Sequence, residues 1–157
     1  MTISNRNQKG FTLVELLIVV IILGILAAVV IPQFNSAASE SKEAALASNL
    51  ATIRQAIEMY KVQHNDVFPN NTIATVQLVD TTDISGAAVA NGPYGPYLRN
   101  DFPNNPMTGT NTVKFITGNA PAGPPTGTEA WLYSTTTGEF RANNTGTGPS
   151  GIDFYDL

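Results

Sequence analysis

The sequence predicts an α+β protein: one long N-terminal helix packed on a small antiparallel sheet. Three observations carry that expectation. Residues 11–31 form an apolar run with a single charge, Glu15. The run continues into a polar stretch whose apolar positions recur at helical period. Residues 66–157 are then rich in Gly, Pro, Thr and Asn, a composition of loops and short strands. A length of 157 residues suits one compact domain.

Composition removes several functions. Charged residues make up 13%, roughly half of the ~25% of ordinary soluble domains. With no cysteine there is no disulfide, thiolate nucleophile or Cys-ligated zinc. One histidine, His64, cannot build a multi-histidine metal site. A net charge of -4 and a pI of about 4.7 argue against nucleic acid as a direct partner. The string GTGPSG at 146–151 has the letters of a dinucleotide fingerprint, but Pro149 interrupts it and no helix is expected after it. Ser150 lacks the spacing of a nucleophile elbow. No catalytic constellation emerges, so the chain is not expected to be an enzyme.

The N-terminal element comes first. Residues 1–10 are polar, with Arg6 and Lys9 as their charges. As a helix, the following apolar run spans roughly 30 Å, enough to cross a bilayer core. Cations on its N-terminal side place residues 1–10 in the cytoplasm and the chain beyond Pro32 outside it. A cleaved secretory signal would have an apolar core of only about 7–15 residues, so this run is too long for one. A plain signal anchor fits the length and leaves Glu15 unexplained. A carboxylate costs up to about 2.5–3.5 kcal/mol at the bilayer centre, less near the interface, and so asks for a partner.

The string KGFTLVELLIVVIILGILAAVVIP resembles the prepilin signal of type IV pilins and type II secretion pseudopilins. The resemblance implies that a membrane aspartyl prepilin peptidase cuts after Gly10 and N-methylates Phe11. A glycine there presents backbone free of side-chain obstruction. Glu15 then matches the family glutamate, fifth in the cleaved chain. It would neutralise the Phe11 amine of its own subunit or a neighbour, where low dielectric strengthens the pairing. Gly24 and Pro32 weaken the helix by about 1 and 3 kcal/mol. Proline alone explains a kink, and the resemblance adds that the stretch between them loses helix when subunits pack.

The second half of the helix, 33–65, is amphipathic. Leu46, Leu50, Ile53, Ile57 and Tyr60 recur at alternating steps of four and three, a stripe that packs under the C-terminal part. Lys42, Glu43, Asn49, Arg54, Glu58 and Lys61 fill the remaining surface, and Arg54 can pair with Glu58 at i, i+4. The helix should stop near Asn65, where Asp66, Pro69 and paired asparagines follow, so that it spans roughly 80 Å. His64 is expected to cap the helix or face solvent rather than form a site.

Residues 66–157 form the loop-rich β part. The stretch 71–79 is open on its residues alone: its β-branched residues favour a strand, while a cap at Asn71 or Thr72 with Ile73, Val76 and Val79 three apart favours a short helix, and relatives of the resembled family tip the expectation to helix. Residues 112–117, 129–134 and 139–143 read as strands, the last two joined by a turn at 135–138 that ends in glycine. Trp131, Tyr133 and Phe140 should make the sheet-to-helix contact. The stretch 92–109 is similar to the loop before the sheet in major pseudopilins, with Tyr94 and Tyr97 suited to pinning it. Met107 replaces the usual aromatic. Major pseudopilins also bind calcium through an acidic C-terminal loop, which makes Asp153 and Asp156 the candidates here. Two aspartates fall short of the six to eight oxygens calcium takes, so a solvated terminus is preferred and no cofactor is expected.

The organisation expected is a leader at 1–10, a membrane and filament-core half-helix at 11–32, an amphipathic half at 33–65 and a β part at 66–157. The function implied by the resemblance is a structural subunit of a pilus-like helical filament, with a major pseudopilin of type II secretion favoured. An extracellular type IV pilus for adhesion, twitching or DNA uptake is the alternative, and a membrane-anchored binding module the out-of-class one. The implied partners are further copies of the chain, the prepilin peptidase, an inner-membrane assembly platform, minor pilins, and lipid before assembly. The implied location is the inner membrane, then a periplasmic or surface filament.

Overall fold

The computed structural model describes residues 10–71, 76–99, 101–118 and 128–157. The chain divides into two units, Met1–Ala38 and Ser39–Leu157. Helix α1, Leu13–Gln63, contributes to both. In the first unit α1 carries the apolar run, and the side chains of Leu16, Ile18, Ile22, Leu26 and Ile31 are all exposed.

The second unit holds the core. Leu46, Leu50, Ile53, Ile57 and Tyr60 of α1 are buried in one cluster with Leu78, Leu98, Phe102, Trp131, Tyr133 and Phe140. The expected stripe is therefore the face that packs. Aromatic rings tie the cluster together: Phe140 lies 5.4 Å from Trp131, 6.1 Å from Tyr133 and 5.9 Å from Phe102, centroid to centroid. The polar tips are satisfied: the Trp131 indole N–H donates to the Pro103 carbonyl at 3.1 Å, and the Tyr133 hydroxyl to the Pro69 carbonyl at 2.8 Å.

The sheet has three strands in the order β1 (Val113–Ile116), β2 (Trp131–Ser134), β3 (Phe140–Ala142). All three fall inside the segments the sequence marks as strands. β2 and β3 pair antiparallel, with Trp131 opposite Ala142 and Tyr133 opposite Phe140. β1 and β2 pair parallel, with Val113 opposite Trp131 and Ile116 opposite Ser134. The sheet is thus mixed rather than antiparallel as expected. The number of residues between Ile116 and Trp131 meets the length of about a dozen or more that a parallel pair requires.

The β2–β3 turn closes as its sequence suggests. The Gly138 N–H donates to the Ser134 carbonyl and the Ser134 N–H to the Glu139 carbonyl, both at 2.9 Å. Gly138 has φ +75°, and a Cβ there would stand 2.2 Å from a ring carbon of Phe68. Gly138→Ala is therefore expected to destabilise the fold by about 1–3 kcal/mol, read as a lower urea midpoint at unchanged slope.

The helix ends where the sequence places its stop signals. Asn65 and Asp66 both take positive φ, 54° and 62°, and the Asp66 N–H reaches back to the Lys61 carbonyl at 3.0 Å. Residues 72–75, the middle of the expected short helix, lie outside the described residues. Its far end is a π-helical turn at Val76 and Gln77, after which the Asp80 N–H donates to the Val76 carbonyl at 2.8 Å.

Two local readings change with the tertiary contacts. His64 is 1% exposed, so it does not face solvent, but it does cap the helix end, with its ring bonded to a last-turn carbonyl. Its ring stacks on Tyr60 at 3.8 Å. Nδ1 lies 2.9 Å from the Tyr60 carbonyl, and Nε2 lies 2.9 Å from the Asp83 carbonyl and 3.2 Å from Thr82 Oγ1. The loop through Thr82 and Asp83 covers it, a contact no local pattern signals. Arg54 does not turn to Glu58. Its Nε donates to the Phe140 carbonyl at 3.0 Å and its Nη1 to the Leu157 carbonyl at 2.8 Å, partners distant in sequence.

The stretch 92–98 is pinned as expected. The Tyr97 and Leu98 N–H groups both donate to the Leu78 carbonyl, at 3.0 and 2.8 Å, and the Tyr97 hydroxyl donates to Gln63 Oε1 at 2.8 Å. Burial, with Tyr60 and Tyr94 beside it, pushes the Tyr97 hydroxyl up to about 12. Tyr94 pairs through its backbone with Thr82. Met107 is partly buried against the core in place of the aromatic.

Candidate processing and assembly segment

The start of α1 is built by a capping box. Thr12 precedes the first helical residue, Leu13, and Glu15 lies three residues on. The Thr12 hydroxyl accepts the Glu15 N–H at 3.2 Å, and Glu15 Oε2 accepts both the Thr12 N–H and the Thr12 hydroxyl at 2.8 Å. Two of the free N–H groups at the helix start are thereby satisfied by side chains. The T-x-x-E spacing that signals this is present in the sequence, although Glu15 stands out there as a lone membrane carboxylate and through the resemblance, not as half of a capping box. The whole box lies on the Phe11 side of the Gly10–Phe11 bond, so cutting that bond leaves it intact. Gly10 is exposed and Phe11 is 83% exposed, which leaves the bond open to another protein.

The carboxylate at the helix start also meets the positive end of the helix dipole. Beyond it, α1 is long and apolar enough to cross a membrane. A Cβ at Gly24 would meet nothing within 4 Å, so no close contact among the described residues requires glycine there. The helix is continuous through Gly24 and Pro32, although proline cannot donate to the carbonyl four residues back.

The remaining site residues lie in the C-terminal tail. Asp153 Oδ1 accepts the Thr147 hydroxyl at 2.7 Å. Asp156 Oδ1 pairs with Arg141 Nη1 at 3.1 Å. The described residues include all twelve Asp and Glu and the single His, and among them no group of three could hold a metal ion. A guanidinium already faces Asp156, so these residues do not fit a calcium ion. Glu43, read as a surface residue, is 8% exposed, with its carboxylate accepting the Ser150 N–H at 3.2 Å and the Ser150 hydroxyl. Glu43, Arg54 and Arg141 carry contacts to the tail that sequence reasoning missed, because every partner is remote or sits in a loop.

The family description "Prokaryotic N-terminal methylation motif" matches residues 5–31. The type II secretion system core protein G of Pseudomonas aeruginosa is 42% identical over 67 residues, 43% of this chain and 46% of that one. A fimbrial protein of Neisseria meningitidis is 37% identical over 112 residues, 67% of this chain and 64% of that one. A type IV wide pilus major component of Thermus thermophilus is 40% identical over 73 residues, 46% of this chain and 55% of that one. The chain thus spans less than two thirds of the length of each of these relatives. No solved structure matches it at a significant level. The methylation motif, with relatives named for both kinds of filament, identifies the N-terminal segment of the chain as one of the type IV pilin and type II secretion pseudopilin kind.

Proposed function

We propose that the chain is a structural subunit of a pilus-like helical filament and acts as a major pseudopilin of a type II secretion system, not as an enzyme. The observation that carries this is the exposed apolar half of α1 with the capped Glu15 at its start. So much exposed apolar surface must be covered by lipid or by other copies of the same helix. Before assembly lipid covers it, with residues 1–10 in the cytoplasm and the second unit outside. The prepilin peptidase cuts after Gly10 and methylates Phe11, and an assembly platform with minor pilins receives the product. Heterologous contacts that do not close then generate an open helix. Glu15 sets axial register against a neighbour's Phe11 amine, and the stretch between Gly24 and Pro32 gives up helix as the bundle forms. Relatives named core protein G support the pseudopilus, as does the loop at 92–98. The fimbrial relative, with its longer match, keeps an extracellular pilus as the second reading.

Mass spectrometry of the native N-terminus, on sheared surface filaments and on membranes, tests both. N-methylated Phe11 confined to membranes is the expected result. The same residue in sheared filaments establishes the extracellular pilus, and an intact Met1 in both returns the chain to a membrane-anchored module.

A further inference from the structure

The tail is fastened by charges that belong to the protein. Arg141, on β3, pairs with Asp156 and with Glu139, donates to the Tyr155 carbonyl at 3.4 Å, and holds its guanidinium 4.8 Å above the Tyr155 ring. Arg54, on α1, reaches the Leu157 carbonyl. Burial first, and then the like charge of Arg141, hold the Arg54 guanidinium below its ordinary value, with Glu139 opposing. At the other end of the tail, Glu43 grips Ser150 through its N–H and hydroxyl.

The glycines of GTGPSG serve this arrangement. A Cβ at Gly148 would stand 2.5 Å from the Glu43 carboxyl carbon. Gly146 and Gly151 take φ of 101° and 82°, and the Gly148 N–H donates to the Ile152 carbonyl at 2.9 Å, which turns the loop back on itself. A string that resembles a phosphate-binding loop thus holds the chain's own carboxylate.

We propose that Glu43, Arg54 and Arg141 form an ionic clasp that fastens the C-terminal tail where major pseudopilins use calcium, so that this chain keeps its tail folded without a divalent cation. A calcium ion needs about six to eight oxygens. Here the position beside Asp156 is held by a cation from β3, and a second cation would be repelled by it. The inference rests on the family reading only for its choice of calcium as the alternative. It concerns the unassembled subunit, so a failure of the filament reading leaves its test intact.

The test uses the full chain in detergent micelles. The melting temperature is expected to be the same in millimolar calcium and in excess EGTA, with no heat of calcium binding by calorimetry. Arg141→Gln should speed hydrogen exchange at the amides of Tyr155 and Asp156 by roughly tenfold. Asp156→Asn, at an exposed position that leaves the core untouched, should move exchange at the same amides in the same direction. A melting temperature lowered by EGTA, a measurable heat of calcium binding, or exchange unchanged in both variants overturns the clasp.

Discussion

With Glu15 replaced by alanine, the precursor is expected to be inserted and cut but to fall at least roughly tenfold in the filament fraction. Two separate losses contribute. Alanine removes the carboxylate that accepts the Thr12 N–H and hydroxyl, which frays the helix start by about 1 kcal/mol. It also removes the only acidic charge in the apolar run, and with it the proposed partner for a Phe11 amine on a neighbouring subunit. The first loss is local and small. In the proposed filament the second would be repeated at every subunit interface, where dielectric is low. Glu15→Gln separates them, because a glutamine can complete the capping box yet carries no charge. If register depends on charge, the glutamine variant fails like alanine. If only the helix start matters, it assembles like wild type. Quantitative blots of pelleted filaments against membranes read both variants, and wild-type filament levels for the alanine variant would defeat the assembly role of Glu15.

What the sequence made legible follows a physical line. The stripe of Leu46, Leu50, Ile53, Ile57 and Tyr60 could be read because helical periodicity is local, and those side chains are the ones buried. The three strands and the turn ending at Gly138 were legible for the same reason. The direction of β1 against β2 was not, since alternation within a strand says nothing about its partner. Arg54 has a helical neighbour at the right spacing in Glu58 and still turns to the Phe140 and Leu157 carbonyls. An exposed i, i+4 pair is worth only about 0.3–0.5 kcal/mol, less than two charge-assisted hydrogen bonds in a half-buried place. One helix alone shows that His64 can cap its end but not that His64 and Glu43 are buried, because the loops that cover them come from residues 18 and 107 positions further on. At the candidate site the membrane carboxylate and the family motif direct attention to Glu15 and to the Gly10–Phe11 junction, while the reciprocal bonds between Thr12 and Glu15 come from the structure.

The second large effect concerns the junction itself. Gly10→Val is expected to hold the chain at precursor mass, with mature protein reduced by roughly tenfold or more. A β-branched side chain adds bulk beside the scissile carbonyl and restricts the backbone that a peptidase must draw into its cleft. Intact mass spectrometry of membranes measures this directly, and normal processing would rule out the assigned cut. The consequence extends to Glu15. An uncut chain keeps an amide at Phe11 in place of an amine, so the carboxylate has no cation to meet. Both substitutions then remove the same interaction by opposite partners. Assembly losses from independent sites add, whereas those from the two halves of one pair do not. Starting from Gly10→Val, the further change Glu15→Ala should therefore cost little additional assembly beyond the loss of the helix cap. A full second loss in the double variant would mean that Glu15 acts on something other than the amine that cleavage creates.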